Sequence, residues 1–125
     1  MPNNTRKNSY LRGCWAEQTA LEFLLHEKLK LLERNFRSVF GEIDLIMQDK
    51  NIICFIEVRY RSDNYFHTAL ESINKNKCDR IIVTSQQYLA QNRTASHLDC
   101  RFDVVVLSGP QENSTIKWIK NAFQA

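Results

Sequence analysis

The sequence predicts a single α/β domain in which helices flank a mixed β-sheet, in the order α-β-β-β-α-β with room for one more β-strand. The chain has 125 residues, which suits one domain and leaves no room for a second of ordinary size. Apolar residues recur at helical spacing in two segments, and they alternate or form short runs in the others. Helices interspersed with strands in this way pack as layers on a sheet.

Residues 1–11 form a polar lead-in that we expect to be flexible, and residues 12–125 form the domain. A first helix is predicted over residues 12–28, because alanines and leucines recur there at spacings of three and four residues and therefore share one face. Residues 29–37 are predicted to form a first strand, although the polar Glu33–Arg34–Asn35 is unusual inside a strand.

After the break at Gly41, apolar and acidic residues alternate over residues 42–47, which is typical of a strand. A turn at residues 48–51 leads into a long apolar strand over residues 52–61, so the two strands are expected to pair as an antiparallel hairpin. The remaining predicted elements are a second helix, a buried strand and an edge strand, over residues 69–90, 102–107 and 116–119.

Composition and charge exclude several classes of protein. The net charge of +3, from 17 basic and 14 acidic residues, favours anionic partners only weakly. None of the four cysteines forms a CxxC pair or neighbours a histidine, so a zinc site is not expected. The polar N-terminus lacks a signal peptide, and no apolar run approaches the ~20 residues of a membrane span. We therefore expect a cytoplasmic protein with reduced thiols and no membrane partner.

The hairpin carries the acidic residues that point to chemistry. With a turn centred on Asp49–Lys50, Glu42 lies opposite Glu57, and Asp44 and Glu57 are diagonal neighbours roughly 7–8 Å apart at Cα. Arg59 then points to the same face of the sheet. A slip of one residue would send Asp44 and Glu57 to opposite faces and remove the site.

An ionised carboxylate at Glu57, directly after the apolar run at residues 52–56, is costly unless it is paired or bound to a metal. Mg²⁺ would relieve its repulsion with Glu42, because this ion takes carboxylate oxygens, waters and phosphate as ligands. A second interpretation stays open, in which these carboxylates form ion pairs with arginines at the sheet end, namely Arg59, Arg61 or Arg101. Glu17, on the apolar stripe of the first helix, is either a partner of the helix dipole or a further member of the acidic cluster.

Several motifs occur in order along the chain: G-x-x-A-E-x-x-A from Gly13, R-N-x-R from Arg34, G-E-I-D-L-I from Gly41, I-E-V-R-x-R from Ile56, Lys77, and R-F-D-V-V from Arg101. Together they resemble the YraN family of bacterial proteins, from about Gly13 to Phe123. GEIDLI followed by EV-basic-x-R is the most specific part. The resemblance implies a restriction-endonuclease-like fold with a PD-(D/E)xK nuclease core.

The resemblance also implies roles for individual residues. Asp44 and Glu57 would bind Mg²⁺ or Mn²⁺, Glu17 would be the catalytic helix glutamate, and Glu42 is a candidate outer metal ligand. Arg59 occupies the third catalytic position, where the family usually has lysine; an arginine stays protonated and cannot act as a base. Flanking phosphates would be contacted by Arg61, Lys75, Lys77 and Arg80, although a solvated helix face explains the helical ones equally well.

Three hypotheses about function follow. The first is a metal-dependent endonuclease that acts on nucleic acid, with DNA as the expected substrate. The second is a nucleic-acid-binding module that has lost catalysis through the arginine at position 59. The third is a protein-interaction domain that keeps the fold, with Trp15, Tyr60, Tyr65 and Phe66 as candidate contacts. A homodimer is left open, since enzymes of this fold often dimerise.

Overall fold

The computed structural model describes the backbone of residues 3–63 and 66–125, and the side chains of residues 8–63 and 68–125. The predicted flexible lead-in at residues 1–11 lies partly outside this description, and its described part is helical. Two of the suggested contact aromatics, Tyr65 and the side chain of Phe66, also lie outside the described residues.

The predicted fold class is confirmed, because a mixed five-stranded sheet is flanked by helices in a single α/β domain. The strands lie in the order β1-β2-β3-β4-β5; β3 and β4 are parallel and the other neighbours antiparallel. In chain order the helices and strands are α1 (Asn3–His26), β1 (Lys30–Ser38), β2 (Gly41–Asp49), β3 (Ile52–Arg61), α2 (Phe66–Glu71), α3 (Lys75–Gln91), β4 (Asp99–Ser108) and β5 (Thr115–Phe123).

Two helix boundaries differ from those predicted. Helix α1 begins at Asn3 rather than Arg12, since no glycine or proline interrupts the polar residues between them. The second predicted helix is divided into α2 and α3 by a break at residues 72–74. Asn74 caps α3, its side-chain oxygen accepting the Lys77 N–H at 2.9 Å, and such a cap is a strong signal to start a new helix.

The two faces of the sheet are covered by different helices. Helix α1 buries Ala16, Ala20, Leu21 and Leu24 against strand residues that include Leu45, Met47, Ile56 and Leu107. Helix α3 buries Ile81 and Tyr88 against strand residues that include Phe36, Ile46, Ile53 and Phe55. Since each buried leucine, isoleucine, phenylalanine or methionine contributes roughly 1.5–3 kcal/mol, the sheet is held firmly between the helices.

The hairpin between β2 and β3 forms as predicted, but with a different turn. Asp49 pairs with Ile52, so the turn consists of Lys50 and Asn51 instead of being centred on Asp49–Lys50. Lys50 adopts a left-handed φ of 56°, and its carbonyl accepts a hydrogen bond of 2.8 Å from the Gln48 side chain. The strand pairing is consequently shifted by two residues from the predicted one.

This shift changes which acidic residues face each other. The ladder between β2 and β3 ends at the pair Leu45–Ile56, and its continuation places Asp44, not Glu42, opposite Glu57. The prediction that Glu42 faces Glu57 is therefore wrong. Asp44 and Glu57 nevertheless meet, because a shift of two residues keeps their side chains on one face. The predicted alternation fails one residue earlier: Ile43 packs with Ile46 on the α3 side of the sheet, whereas Leu45 and Met47 pack on the α1 side.

A second buried carboxylate, Asp103 on β4, ties three strands together. It is fully buried and accepts both Arg101 Nε–H, at 3.0 and 3.1 Å, and the Trp118 indole N–H, at 3.0 Å. The backbone N–H of Asn121 adds a bond of 2.9 Å. Arg101 also reaches Asp49 at the end of β2, at 2.9 Å. The charge of Asp103 is therefore satisfied by donors from β4 and β5.

Other expectations from composition concern the thiols and the membrane. All four cysteines are free. Burial raises the pKa of Cys54 to about 12, so that this thiol stays protonated and unreactive at neutral pH. Among the helices of residues 3–63 and 66–125, none is both long and apolar enough to cross a bilayer.

The Asp103 network predicts a large loss of stability on substitution. We expect Asp103→Asn to lower the free energy of unfolding by about 3 kcal/mol, because it removes the charge of a fully buried acceptor and turns an amide NH₂ towards donors from Arg101, Trp118 or Asn121. Urea unfolding measures the change. The matched control is Asp99→Asn, an exposed position on the same strand, which should stay within about 0.5 kcal/mol of wild type. Equal stability of the two variants would contradict this account.

Candidate functional site

A cleft of about 360 Å³ opens where β2 and β3 separate, beyond the last paired residues of the ladder. Helix α1 forms one wall, the end of β3 lies along the cleft, and α3 contributes one residue. The acidic side chains that line it are Glu17, Glu42, Asp44 and Glu57, and the basic ones are Arg12, Arg59, Arg61 and Lys77. The structure thus brings together all the predicted acidic site residues.

Asp44 and Glu57 are in direct contact at this cleft. The carboxyl group of Asp44 is hydrogen-bonded to Glu57, and its Oδ2 accepts the backbone N–H of Val58 at 2.8 Å. Because the regular ladder has already ended, the Asp44 side chain takes the place of a strand partner for Val58. Glu57 exposes only 4% of its surface. The two carboxyl groups are therefore fixed by the backbone of two strands.

The electrostatics of this pair favour a shared proton. Burial raises the pKa of Asp44 well above its usual value, and the charge and hydrogen bond of Glu57 raise it further. The Val58 N–H acts in the opposite direction by stabilising the carboxylate. The raised pKa therefore favours the protonated form of Asp44, which reduces the repulsion between the two adjacent carboxyl groups.

Two cations also contact Glu57, both at its Oε2 atom. Arg59 Nη2 lies 2.9 Å away and Lys77 Nζ lies 3.3 Å away. Of the ion pairs considered from the sequence, the one between Glu57 and Arg59 therefore forms. Arg59 Nε is buried and lacks a hydrogen-bond partner, so the guanidinium is only partly satisfied by the protein.

The other proposed ion pairs do not form. Glu42 lies 3.6 Å from Arg37, which the sequence interpretation did not consider. Arg101 belongs to the Asp103 network instead. Arg61 lines the cleft and donates to the Tyr60 carbonyl at 2.9 Å.

Glu17 joins the acidic cluster through a residue that sequence reasoning missed. With its amide oriented to satisfy both neighbours, Asn35 donates to Glu17 Oε1 at 2.8 Å and to Glu42 Oε1 at 3.0 Å. Burial raises the pKa of Glu17, the charge of Glu42 adds to this, and Arg34 lowers it. Since α1 begins at Asn3, Glu17 lies in mid-helix, and its interpretation as a partner of the helix start is wrong.

The sequence offered one signal for Asn35. It stands in the middle of β1 with a φ of 52°, a left-handed conformation that asparagine tolerates better than most residues. A polar asparagine interrupting a strand pattern is therefore a sign of a local distortion. Here the distortion places its amide between the two glutamates.

The basic residues predicted on α3 separate into two groups. Lys77 reaches the cleft, whereas Lys75 is exposed and lies 3.6 Å from Asp79. Arg80 is exposed and lies beside Gly41, outside the cleft. Of the residues whose side chains are described, no three from His, Cys, Asp and Glu form a ready-made metal cage. The acidic centre is therefore a pair of carboxyl groups supported by Glu17 and Glu42 at its rim.

Comparison with known proteins places the chain in a family. Residues 16–107 match the family described as Uncharacterised protein family UPF0102. A UPF0102 protein of Nitrosomonas europaea is 48% identical over 112 residues, covering 90% of this chain and 92% of the relative. UPF0102 proteins of Nitrosococcus oceani and Methylococcus capsulatus are 41% and 39% identical over 113 and 115 residues, which is 90% and 92% of this chain and 91% and 92% of theirs. The resemblance found in the sequence is confirmed: the chain belongs to UPF0102, the YraN family.

Proposed function

We propose that this protein is a Mg²⁺-dependent endonuclease that hydrolyses phosphodiester bonds in nucleic acid, with DNA as the expected substrate. The observation that carries the proposal is the contact between Asp44 and Glu57 at an open cleft, with the pKa of Asp44 raised and two cations beside the pair. Perturbed carboxyl groups in a cleft are typical of functional sites, although structural networks also produce them.

The donor set suits Mg²⁺ or Mn²⁺. Mg²⁺ is commonly held by one or two carboxylates, with waters and substrate phosphate completing its shell, so the absence of a third nearby ligand among the described side chains is no obstacle. Asp44 and Glu57 would be the ligands, and Glu17 and Glu42 would orient waters around them. When bound, the ion supplies a Lewis acid that polarises the phosphate and lowers the pKa of a water.

The basic residues would bind and orient the phosphate. A dication held by Asp44 and Glu57 would favour the deprotonated form of Asp44 and would compete with Arg59 and Lys77 for Glu57. The guanidinium and ammonium groups would then turn to phosphate oxygens, and the unpartnered Nε of Arg59 is a donor suited to one of them. Arg61 would hold a flanking phosphate at the rim of the cleft.

One observation favours a second candidate function, a nucleic-acid-binding module without catalysis. Arg59 stands at the position where the family pattern has lysine, and an arginine cannot accept a proton from water. Such a module would keep the cleft and its salt-sensitive binding to nucleic acid. It would not turn over substrate.

Cleavage assays test the proposed activity. Wild-type protein should cut DNA only when Mg²⁺ or Mn²⁺ is present, and Asp44→Ala and Glu57→Gln should each lower the rate about 100-fold or more. Labelled single-stranded, duplex and branched DNA are the substrates. Asp99→Asn is the control, because Asp99 pairs with Ile52 at the opposite end of β3. Absence of metal-dependent cleavage on all substrates would refute the nuclease proposal.

The raised pKa of Asp44 predicts how the stability of the protein depends on pH. The folded protein holds the Asp44 proton more tightly than the unfolded chain, so in EDTA its free energy of unfolding should fall as pH rises from about 4 through the raised pKa of Asp44. Asp44→Asn keeps an acceptor for Val58 and a donor for Glu57 without needing a proton. It should remove this decline and be more stable than wild type by about 1 kcal/mol at about pH 8.

Metal binding should make wild type more stable than Asp44→Asn, the opposite of their order in EDTA. Excess Mg²⁺ should raise the melting temperature of wild type at alkaline pH, where the proton competes least, and leave Asp44→Asn nearly unchanged. Thermal unfolding across pH, with and without Mg²⁺, measures both effects. If wild type and Asp44→Asn show the same pH profile in EDTA, the shared proton does not exist; if Mg²⁺ stabilises neither, the pair is not a metal site.

The two cations at Glu57 have separable roles. Lys77→Met should lower cleavage at least about tenfold, because it removes a cation that would contact the phosphate, whereas Lys75→Met, two residues away and outside the cleft, should have little effect. Arg59→Lys tests the second candidate function. If only Arg59→Lys cuts DNA, the wild-type protein is the binding module; if Lys77→Met and Lys75→Met behave alike, Lys77 does not act on substrate.

A further inference from the structure

The turn between β1 and β2 exposes two apolar side chains, although the conformation of the turn does not depend on apolar residues. Ser38 pairs with Gly41, so the turn consists of Val39 and Phe40, which we call the tip. Val39 is 94% exposed and Phe40 is 48% exposed. Neither residue has the positive φ that would restrict the turn to glycine, asparagine or aspartate, so its backbone accepts polar and apolar residues alike. The tip therefore exposes apolar surface that the turn itself does not need.

The backbone of the tip is braced against α3. The Phe40 N–H donates to Ser38 Oγ at 3.0 Å, and Ser38 Oγ is hydrogen-bonded to the buried Thr84 of α3, at 3.3 Å. Gly41 approaches α3 so closely that a Cβ there would lie 3.3 Å from Thr84 Oγ1. The two apolar side chains are consequently held outward on a rigid support.

The surroundings of the tip are basic and continuous with the acidic cleft. Arg37, two residues before Val39, has a largely exposed side chain whose Nε lies 3.6 Å from Glu42, and the Cβ of Arg80 lies beside Gly41 behind the tip. A second cleft of about 320 Å³, lined by arginines and Tyr10, shares Glu17 and Glu42 with the first. Phe40 ends the turn and Asp44 lies four residues later on β2, so the two are at most about 13 Å apart along the chain. A single strand of nucleic acid could touch both.

We propose that the tip stacks on an unpaired base of the nucleic acid that the cleft cleaves, so that the preferred substrate contains an unpaired or easily opened position. This inference rests on the proposed function, and it adds a preference that the metal site cannot provide. The flat face of a base matches the exposed ring of Phe40, and Arg37 and Arg80 match the adjacent phosphates. The same base chemistry is present in DNA and RNA.

A second copy of this chain is a poorer occupant of the tip. Two side chains offer far less than the roughly 800 Å² per partner of a stable protein interface. In a symmetric dimer each copy uses the same patch, so the arginines beside the two tips would approach one another. The same arginines attract a polyanion.

Binding measured in EDTA tests the inference without cleavage. Fluorescence anisotropy at low salt would compare a fully paired DNA duplex with the same duplex carrying one unpaired base, and RNA counterparts of both. Wild type should bind the unpaired form about tenfold more tightly, and Phe40→Ala should lose this preference while binding the paired duplex as before. Leu25→Ala is the control, since Leu25 is 45% exposed near the other end of α1 and should keep the preference.

The outcomes distinguish this inference from the proposed nuclease. A preference for the unpaired form in DNA, RNA or both, abolished by Phe40→Ala, supports the tip as a base-stacking surface and identifies the sugar. A preference unchanged in Phe40→Ala, or no binding by wild type, overturns it. A dimer that Phe40→Ala dissociates in sedimentation velocity also overturns it, in favour of self-association. The binding experiment contains no metal, so its result does not depend on cleavage. A failure of cleavage in the separate assay would refute the proposed nuclease activity without affecting a measured stacking preference.

Discussion

The candidate site depends on the hydrogen bond between the Asp44 carboxyl group and the Val58 N–H, at the point where β2 and β3 separate. This bond draws a side chain into a place where a backbone carbonyl would otherwise lie, and it sets Asp44 against Glu57. Burial then makes the charge of Asp44 costly, as the raised pKa shows. Strands β2 and β3 hold the carboxyl groups of Asp44 and Glu57 together despite their repulsion. The fold therefore keeps two mutually repelling acidic groups at the edge of the cleft.

The protein also shows what a purely structural carboxylate looks like. Asp103 is more deeply buried than Asp44, but Arg101, Trp118 and a backbone N–H satisfy its oxygens, and Arg101 also pairs with the nearby Asp49. At the cleft, by contrast, burial beside Glu57 raises the pKa of Asp44, and Glu57 contacts two cations that leave a guanidinium nitrogen unpartnered. A site that existed only for stability would be expected to resemble the first arrangement. At the Asp44–Glu57 pair, a divalent ion would neutralise the carboxylates, and a phosphate would accept a hydrogen bond from the unpartnered Arg59 Nε.

Sequence patterns could predict the fold class and the shared face, and the limits of the prediction have physical causes. Alternation in β2 and β3 predicts which residues share a face, but pairings that differ by two residues give identical patterns, so it cannot distinguish Asp44 from Glu42 as the residue opposite Glu57. Alternation also fails at the start of β2, where Ile43 packs with Ile46 and not with Leu45 and Met47. The bridge that Asn35 forms between Glu17 and Glu42 joins three elements distant in sequence. Periodicity within one segment carries no information about such a contact. The polar start of α1 lacks the apolar spacing that reveals a helix.

The position of Lys77 bears directly on how the arginine at position 59 should be interpreted. An interpretation based on the β3 motif alone assumes that β3 supplies the only cation in contact with the Asp44–Glu57 pair. Asn74 instead starts α3 three residues before Lys77, and this first helical turn carries the ammonium group to the same Glu57 oxygen that Arg59 contacts. Replacement of lysine by arginine in the strand therefore does not leave the cleft without a lysine. Loss of catalysis cannot be inferred from position 59 alone, because the chemistry of the cleft is assembled from two elements.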